Sequence, residues 1–139
     1  MPTKFTIAVF VGDPVDFVKF RHVAIHIRFA DGEDNLVHVV GAHPFFIFTN
    51  EERDPTTTRQ LAVLIPVASA PDTIAKRAIQ KACAATPVRN DLHHQDWNCQ
   101  NWVGEALSEL VEIGCVTEEQ RSAAIAQMMD ACLEAKDEP

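Results

Sequence analysis

Basic residues are in short supply: 12 Lys and Arg stand against 20 Asp and Glu, a net charge of −8 at neutral pH. No cluster of the few cations offsets this, which argues against a polyanion-binding surface and sets nucleic acid aside. Long apolar runs are absent too. No stretch approaches the eighteen or so residues that a membrane span needs, and the start of the chain, Met1-Pro2-Thr3-Lys4-Phe5, lacks the apolar region of a secretory signal. A cytoplasmic protein without a membrane span is expected. Cysteine is sparse, at Cys83, Cys99, Cys115 and Cys132, and no pair has the C-x-x-C spacing of a structural zinc site. The four therefore read as reduced thiols, and neither a metal nor a cofactor is expected. No repeat, low-complexity segment or linker divides the 139 residues. Nothing in the sequence sets the oligomeric state.

What is present suffices for one domain with a true core, since 47% of the residues are apolar. Apolar positions alternate from Lys4 to Val11, the pattern of a strand, and Gly12-Asp13-Pro14 closes it. From Arg21 the alternation sharpens, with Val23, Ile25, Ile27 and Phe29 on one face and His22, Ala24, His26 and Arg28 on the other. Turn residues 31–35 lead to a second strand, Leu36 to Val40, predicting an antiparallel hairpin. A short apolar run spans His43 to Phe48, a polar surface loop covers Thr49 to Gln60, and a strand from Gln60 to Ile65 stops at Pro66.

Beyond Pro66 the period becomes helical. A helix is predicted to open at Pro71, with Ala75, Ala78, Ile79, Ala82 and Cys83 on one face. A polar connector carrying His93 and His94 precedes a helix that starts at Cys99 and repeats at Trp102, Val103, Ala106, Leu107, Leu110 and Val111, with Gly114 as its stop. Thr117-Glu118-Glu119-Gln120 is a capping box for a third helix, with Ile125, Met128, Met129 and Cys132 inward. Strands in the first half and helices in the second make an α+β domain: strand-rich over 4–66, helical over 71–135, a single unit over 1–139.

A thiol at a helix start meets unsatisfied N–H groups and the positive end of the dipole, which favour thiolate. Cys99 occupies such a place. A sulfur nucleophile also needs a proton acceptor, and histidine titrates in the right range. His22, His26 and His38 lie on neighbouring strands, whereas His93 and His94 are expected in solvent and His43 in a structural role before a proline.

The order His22-Val23-Ala24-Ile25, then Leu36-Val37-His38-Val39, then Asn98-Cys99-Gln100-Asn101-Trp102-Val103 resembles the lecithin:retinol acyltransferase and H-Ras-like suppressor group of the circularly permuted papain-like (NlpC-type) superfamily. The resemblance covers roughly residues 21–40 and 97–110. It implies a permuted papain-like fold in which Cys99 is the nucleophile, His22 the general base and acid, and His38 the group that orients His22. The backbone N–H of Cys99 would contribute to an oxyanion hole. Valine follows His22 where that group has tryptophan, and Cys-Gln-Asn-Trp replaces Cys-Glu-His-Phe, so a lipid substrate is not implied. His26 shares the strand face of His22, about 13 Å along at strand rise, and is the alternative base. Gln95, Trp97 and Trp102, which flank Cys99, are candidate substrate-binding residues.

The function expected is that of a cysteine hydrolase or acyltransferase. It would act on an amide, ester or thioester of a small molecule or peptide through an acyl-thioester intermediate. The alternative is a non-catalytic binding module that retains the fold.

Overall fold

The alternation in the first half produces strands that pair in an antiparallel sheet. In the structure, a computed structural model that describes residues 2–13 and 15–137, β1 is Thr3–Phe10, β2 His22–Arg28, β3 Asp34–Val40, β4 Ile47–Glu51 and β5 Leu61–Ala70. The spatial order is β4-β3-β2-β1-β5. β2 and β3 form the expected hairpin, with Ile25 opposite Val37 and Arg28 opposite Asp34. Gly32 in its loop has φ +90°, a conformation that glycine adopts without strain. Three helices follow: α1 Lys76–Ala84, α2 Cys99–Glu112 and α3 Glu118–Leu133. The domain is α+β, with the sheet from the N-terminal half and the helices from the C-terminal half.

The helices cover one face of the sheet. Ile7, Val9, Val23, Ile25, Ile27, Val37 and Val39 meet Trp102, Val103, Leu107 and Leu110 of α2 and Met128 and Cys132 of α3 in one buried cluster. A side chain such as Leu107, which is wholly buried, contributes roughly 2 kcal/mol by its removal from water. The other face carries a smaller apolar set, Ala8, Phe10, Ala24 and Leu36, together with the side chains of His26 and His38. Segment 51–60 closes it: Glu51 reaches His38, Arg53 lies over the ring of Phe10, and Asp54 meets Arg28.

Four boundaries depart from the sequence pattern. Asp34 and Asn35 belong to β3 and not to the turn, paired with Arg28 and Ile27. Thr49 to Glu51 belong to β4 and not to a loop, with Thr49 paired to His38; an edge strand faces water and needs no apolar alternation. β5 runs through Pro66 to Ala70, because β5 is the opposite edge and a missing N–H there costs no ladder bond; the register with β1 shifts at this point. α1 begins at Lys76 and not at Pro71. Residues 71–74 form a turn, and Ala75 at the N-cap has no side-chain oxygen to start the helix earlier. In α3 the capping box of Thr117 and Gln120 is formed as expected, but Met129 is exposed and Ala124, Met128, Ala131 and Cys132 face inward.

The segment between β1 and β2 is fastened by charge. Arg21 donates from Nε and Nη2 to the two oxygens of Asp16 at 2.9 and 2.8 Å, and from Nη1 to the Ala131 carbonyl at 3.0 Å. Both side chains are buried. Asp16 also accepts from the backbone N–H of Gly12 and Lys136, so the buried carboxylate is fully hydrogen-bonded and its pKa lies far below the ordinary value. Gly12 is required here by space, since a Cβ would stand 2.7 Å from the Val15 carbonyl oxygen.

Candidate active site

Asn98 is the N-cap of α2. Its side chain accepts from the Gln100 N–H at 2.9 Å while Asn101 accepts from the Asn98 N–H at 3.0 Å, a capping box that places Cys99 at the first helical position. Cys99 packs against the helix-side core and opens into a cleft of about 630 Å³, a volume suited to a small ligand. His22, the first residue of β2, lines the same cleft from the other side of the sheet. The two sides meet around the end of the strand: the backbone N–H of Val23, next to His22, faces the Cys99 sulfur together with the N–H groups of Cys99 and Gln100. Among the described residues, no hydrogen bond joins Cys99 to His22.

His22 is paired to His38. The antiparallel hairpin brings His38 back toward the start of β2, and Nε2 of His22 lies 2.6 Å from Nδ1 of His38. Glu51 selects the tautomer. Its Oε2 stands 3.3 Å from His38 Nε2, and both atoms are buried with no hydrogen-bond partner; the contact is close in distance but not aligned as a hydrogen bond. A proton on His38 Nε2 faces the carboxylate favourably, whereas a lone pair there would repel it. His38 Nδ1 is then the acceptor, His22 Nε2–H the donor, and His22 Nδ1 keeps a free lone pair. The Phe10 ring stacks on His22 with centroids 5.8 Å apart and limits how the imidazole turns.

The protonation states follow from burial. His22 is pushed down to about 4 by burial first, then by His38 and the Arg53 cation, so its ring is neutral at pH 7. His38 is also lowered by burial, with Glu51 pulling the other way. Cys99 runs against the expectation of a stabilised thiolate: burial raises its pKa, and the three facing N–H groups offset only part of that shift. At rest the cleft is lined by a thiol and a neutral imidazole.

The remaining candidates separate cleanly. His26 faces the same side of β2 as His22, but its Nε2 binds Asp34 at 2.7 Å and it does not line the cleft. Gln95 is exposed at the cleft wall. Trp97 lines the cleft, with its indole N–H donating to Glu105 at 2.6 Å and its ring edge-on to Phe46. Trp102 does not line the cleft: it is wholly buried beneath α2 against Phe48, because the fourth position of the helix points at the sheet. Among the described residues no group of three or more His, Cys, Asp or Glu side chains could hold a metal. Glu51, Arg53 and Phe10 were not foreseen. Glu51 and Arg53 fall in the polar stretch read as a loop, and recognising Thr49 as the strand partner of His38 would have brought Glu51 to the site.

Residues 16–117 match DUF6540, a family of unknown function, and the chain belongs to that family. The matched span includes His22, His38, Glu51 and Cys99. No curated protein and no solved structure matches the chain.

Proposed function

We propose that the protein is a cysteine-dependent hydrolase or acyltransferase of the permuted papain-like type, acting on an amide, ester or thioester. The observation that carries this reading is the 2.6 Å contact between His22 Nε2 and His38 Nδ1, which leaves His22 Nδ1 free in the cleft that Cys99 opens into. His22 Nδ1 takes the thiol proton as the sulfur attacks the carbonyl carbon, and the oxyanion that forms is met by the Cys99 N–H. The tetrahedral adduct collapses, the leaving group departs with the proton held by His22, and Cys99 keeps the acyl group as a thioester. Water or an amine, deprotonated by His22, then releases it. His38 and Glu51 hold His22 in the tautomer that this cycle needs.

Alkylation of the native protein with iodoacetamide at pH 8 tests the reading. Cys99 is expected to label at least tenfold faster than Cys83, Cys115 and Cys132, whose thiols are pushed up to about 12, 11 and 11 by burial. Equal labelling of all four would overturn it.

A second reading, a binding module that keeps the fold without the chemistry, draws on the raised pKa of Cys99 and the missing Cys99–His22 hydrogen bond. It predicts that Cys99→Ser leaves ligand binding intact while Cys99 itself labels no faster than its burial allows.

A further inference from the structure

We propose that Arg53 is a carboxylate anchor in the cleft that the candidate nucleophile opens into, so that the acyl donor carries a carboxylate as well as its scissile carbonyl. This deepens the reading of a cysteine acyl-transfer site and rests on it. Sequence charge alone, at −8, would favour neutral or cationic substrates. The cleft differs from the surface as a whole. Arg53 lines it, and its guanidinium lies 5.9 Å from the centroid of the Phe10 ring that itself stacks on His22. Cation, ring and imidazole thus form one row along the cleft wall.

Arg53 is only partly engaged inside the protein, through an ion pair of its Nε with Glu51. Its Nε stands 3.6 Å from Glu51 Oε2, beyond hydrogen-bond length, and among the described residues neither Nη atom has a partner. The side chain is 43% exposed. A planar fork with two free nitrogens, held over an aromatic ring and open to a cleft, matches a carboxylate in geometry as well as in sign. The charge count favours a single negative charge. Glu51 already offsets part of the Arg53 cation, and Asp13 and Asp96 line the same cleft, so a dianionic phosphate would meet more repulsion than a carboxylate. The other cations lining the cleft are Lys19, whose ammonium rests 5.0 Å from the Phe20 ring centroid, and Arg21, which is paired with Asp16.

The anchor also acts on the base. The charge of Arg53 helps to hold His22 and His38 below their ordinary values. A carboxylate seated on Arg53 cancels part of that charge and raises the proton affinity of His22 as the substrate arrives. Monoamides, monoesters and thioesters of short dicarboxylic acids have this chemistry, the free carboxylate on Arg53 and the acyl carbonyl at Cys99.

Two alkylating reagents of nearly equal size test the anchor. The Cys99 rate with iodoacetate, which carries a carboxylate, is divided by its rate with neutral iodoacetamide, in the full-length native protein. Dividing the rates removes any change in thiol reactivity itself. The ratio is expected to fall at least fivefold in Arg53→Gln, to fall less in Arg53→Lys, and to drop in the unmodified protein on raising salt to 0.5 M. An unchanged ratio in Arg53→Gln would overturn the anchor. The absolute rate with iodoacetamide reports separately on the acyl-transfer reading: a slow Cys99 with an Arg53-dependent ratio sinks the chemistry and keeps the anion site, whereas a fast Cys99 with an Arg53-independent ratio does the reverse. A matched pair of acyl donors, the p-nitrophenyl monoester of glutaric acid and the p-nitrophenyl ester of pentanoic acid, gives the same comparison in turnover. Because the effect of Arg53 on His22 touches both donors alike, Arg53→Gln is expected to raise the KM of the first relative to that of the second by at least fivefold, and equal effects on both would count against the anchor.

Discussion

The two ends of β2 present the same side chain to the same face of the sheet and make different things of it. At one end His22 meets a second imidazole, lines an open cleft and is neutral at pH 7. At the other, His26 meets the carboxylate of Asp34, which is shared with Arg28, and is shut away from the cleft. A neutral partner leaves a lone pair for chemistry, while a carboxylate shared with arginine ties the ring into a charge cluster. What a strand histidine does is decided by its cross-strand neighbours more than by its own position.

The largest effect should come from breaking one end and then the other. His22→Ala is expected to slow alkylation of Cys99, and turnover of an activated ester, by about a thousandfold, within the range of general-base contributions. His26→Ala should leave both rates within a factor of two. A comparable loss in the two variants would erase the distinction.

Stability against pH sharpens the comparison next. His22 titrates at about 4 in the folded chain and at 6.5 unfolded, so between those values the unfolded chain binds more protons. The contribution is complete above pH 6.5 and is lost as pH falls toward 4. Over pH 6.5 to 5, above the ordinary values of Asp and Glu, the unfolding free energy should fall by ~1.5 kcal/mol on account of His22. Urea titrations of His22→Gln are expected to show a shallower slope in this window; an unaltered slope would remove the burial argument for the neutral ring.

The smallest effects come from the carboxylates at the two ends. Glu51→Gln should lower turnover about tenfold with little change in stability, less than for a fully buried orienting carboxylate, because Glu51 is 40% exposed. Asp34→Asn should leave turnover alone and cost about 1 kcal/mol, since the half-buried contacts to His26 and Arg28 are weakened. If the two swaps behave alike, Glu51 has no positioning role.

Much of this arrangement is visible in the residues themselves. Alternation over 22–28 and 36–40 fixes which histidines share a face, and the turn ahead of Asp34 returns the chain so that His38 approaches the His22 end. The Asn98 cap fixes where α2 starts. What sequence did not convey was depth. A helix start favours thiolate, but the sheet and neighbouring segments that bury Cys99 come from distant parts of the chain, and their effect prevails. Glu51 and Arg53 went unseen because an edge strand of polar residues has no apolar rhythm to betray it. Trp102 fitted two roles on paper, beside a reactive cysteine and on the apolar stripe of its helix; the stripe decides, since the residue points into the core.

The clasp between Asp16 and Arg21 has a consequence for the order in which the cleft is completed during synthesis. Arg21 lines the cleft and Asp16 fixes it, yet the carbonyl of Ala131, the N–H of Lys136 and the side chain of Asp137 that finish the clasp lie more than a hundred residues downstream. Until residues 131–137 have left the ribosome, a buried arginine and a buried aspartate share an unfinished set of bonds, and water supplies what the chain has not yet delivered. A nascent chain carrying His22, His38 and Cys99 therefore holds all three chemical groups before the wall beside them is locked in place.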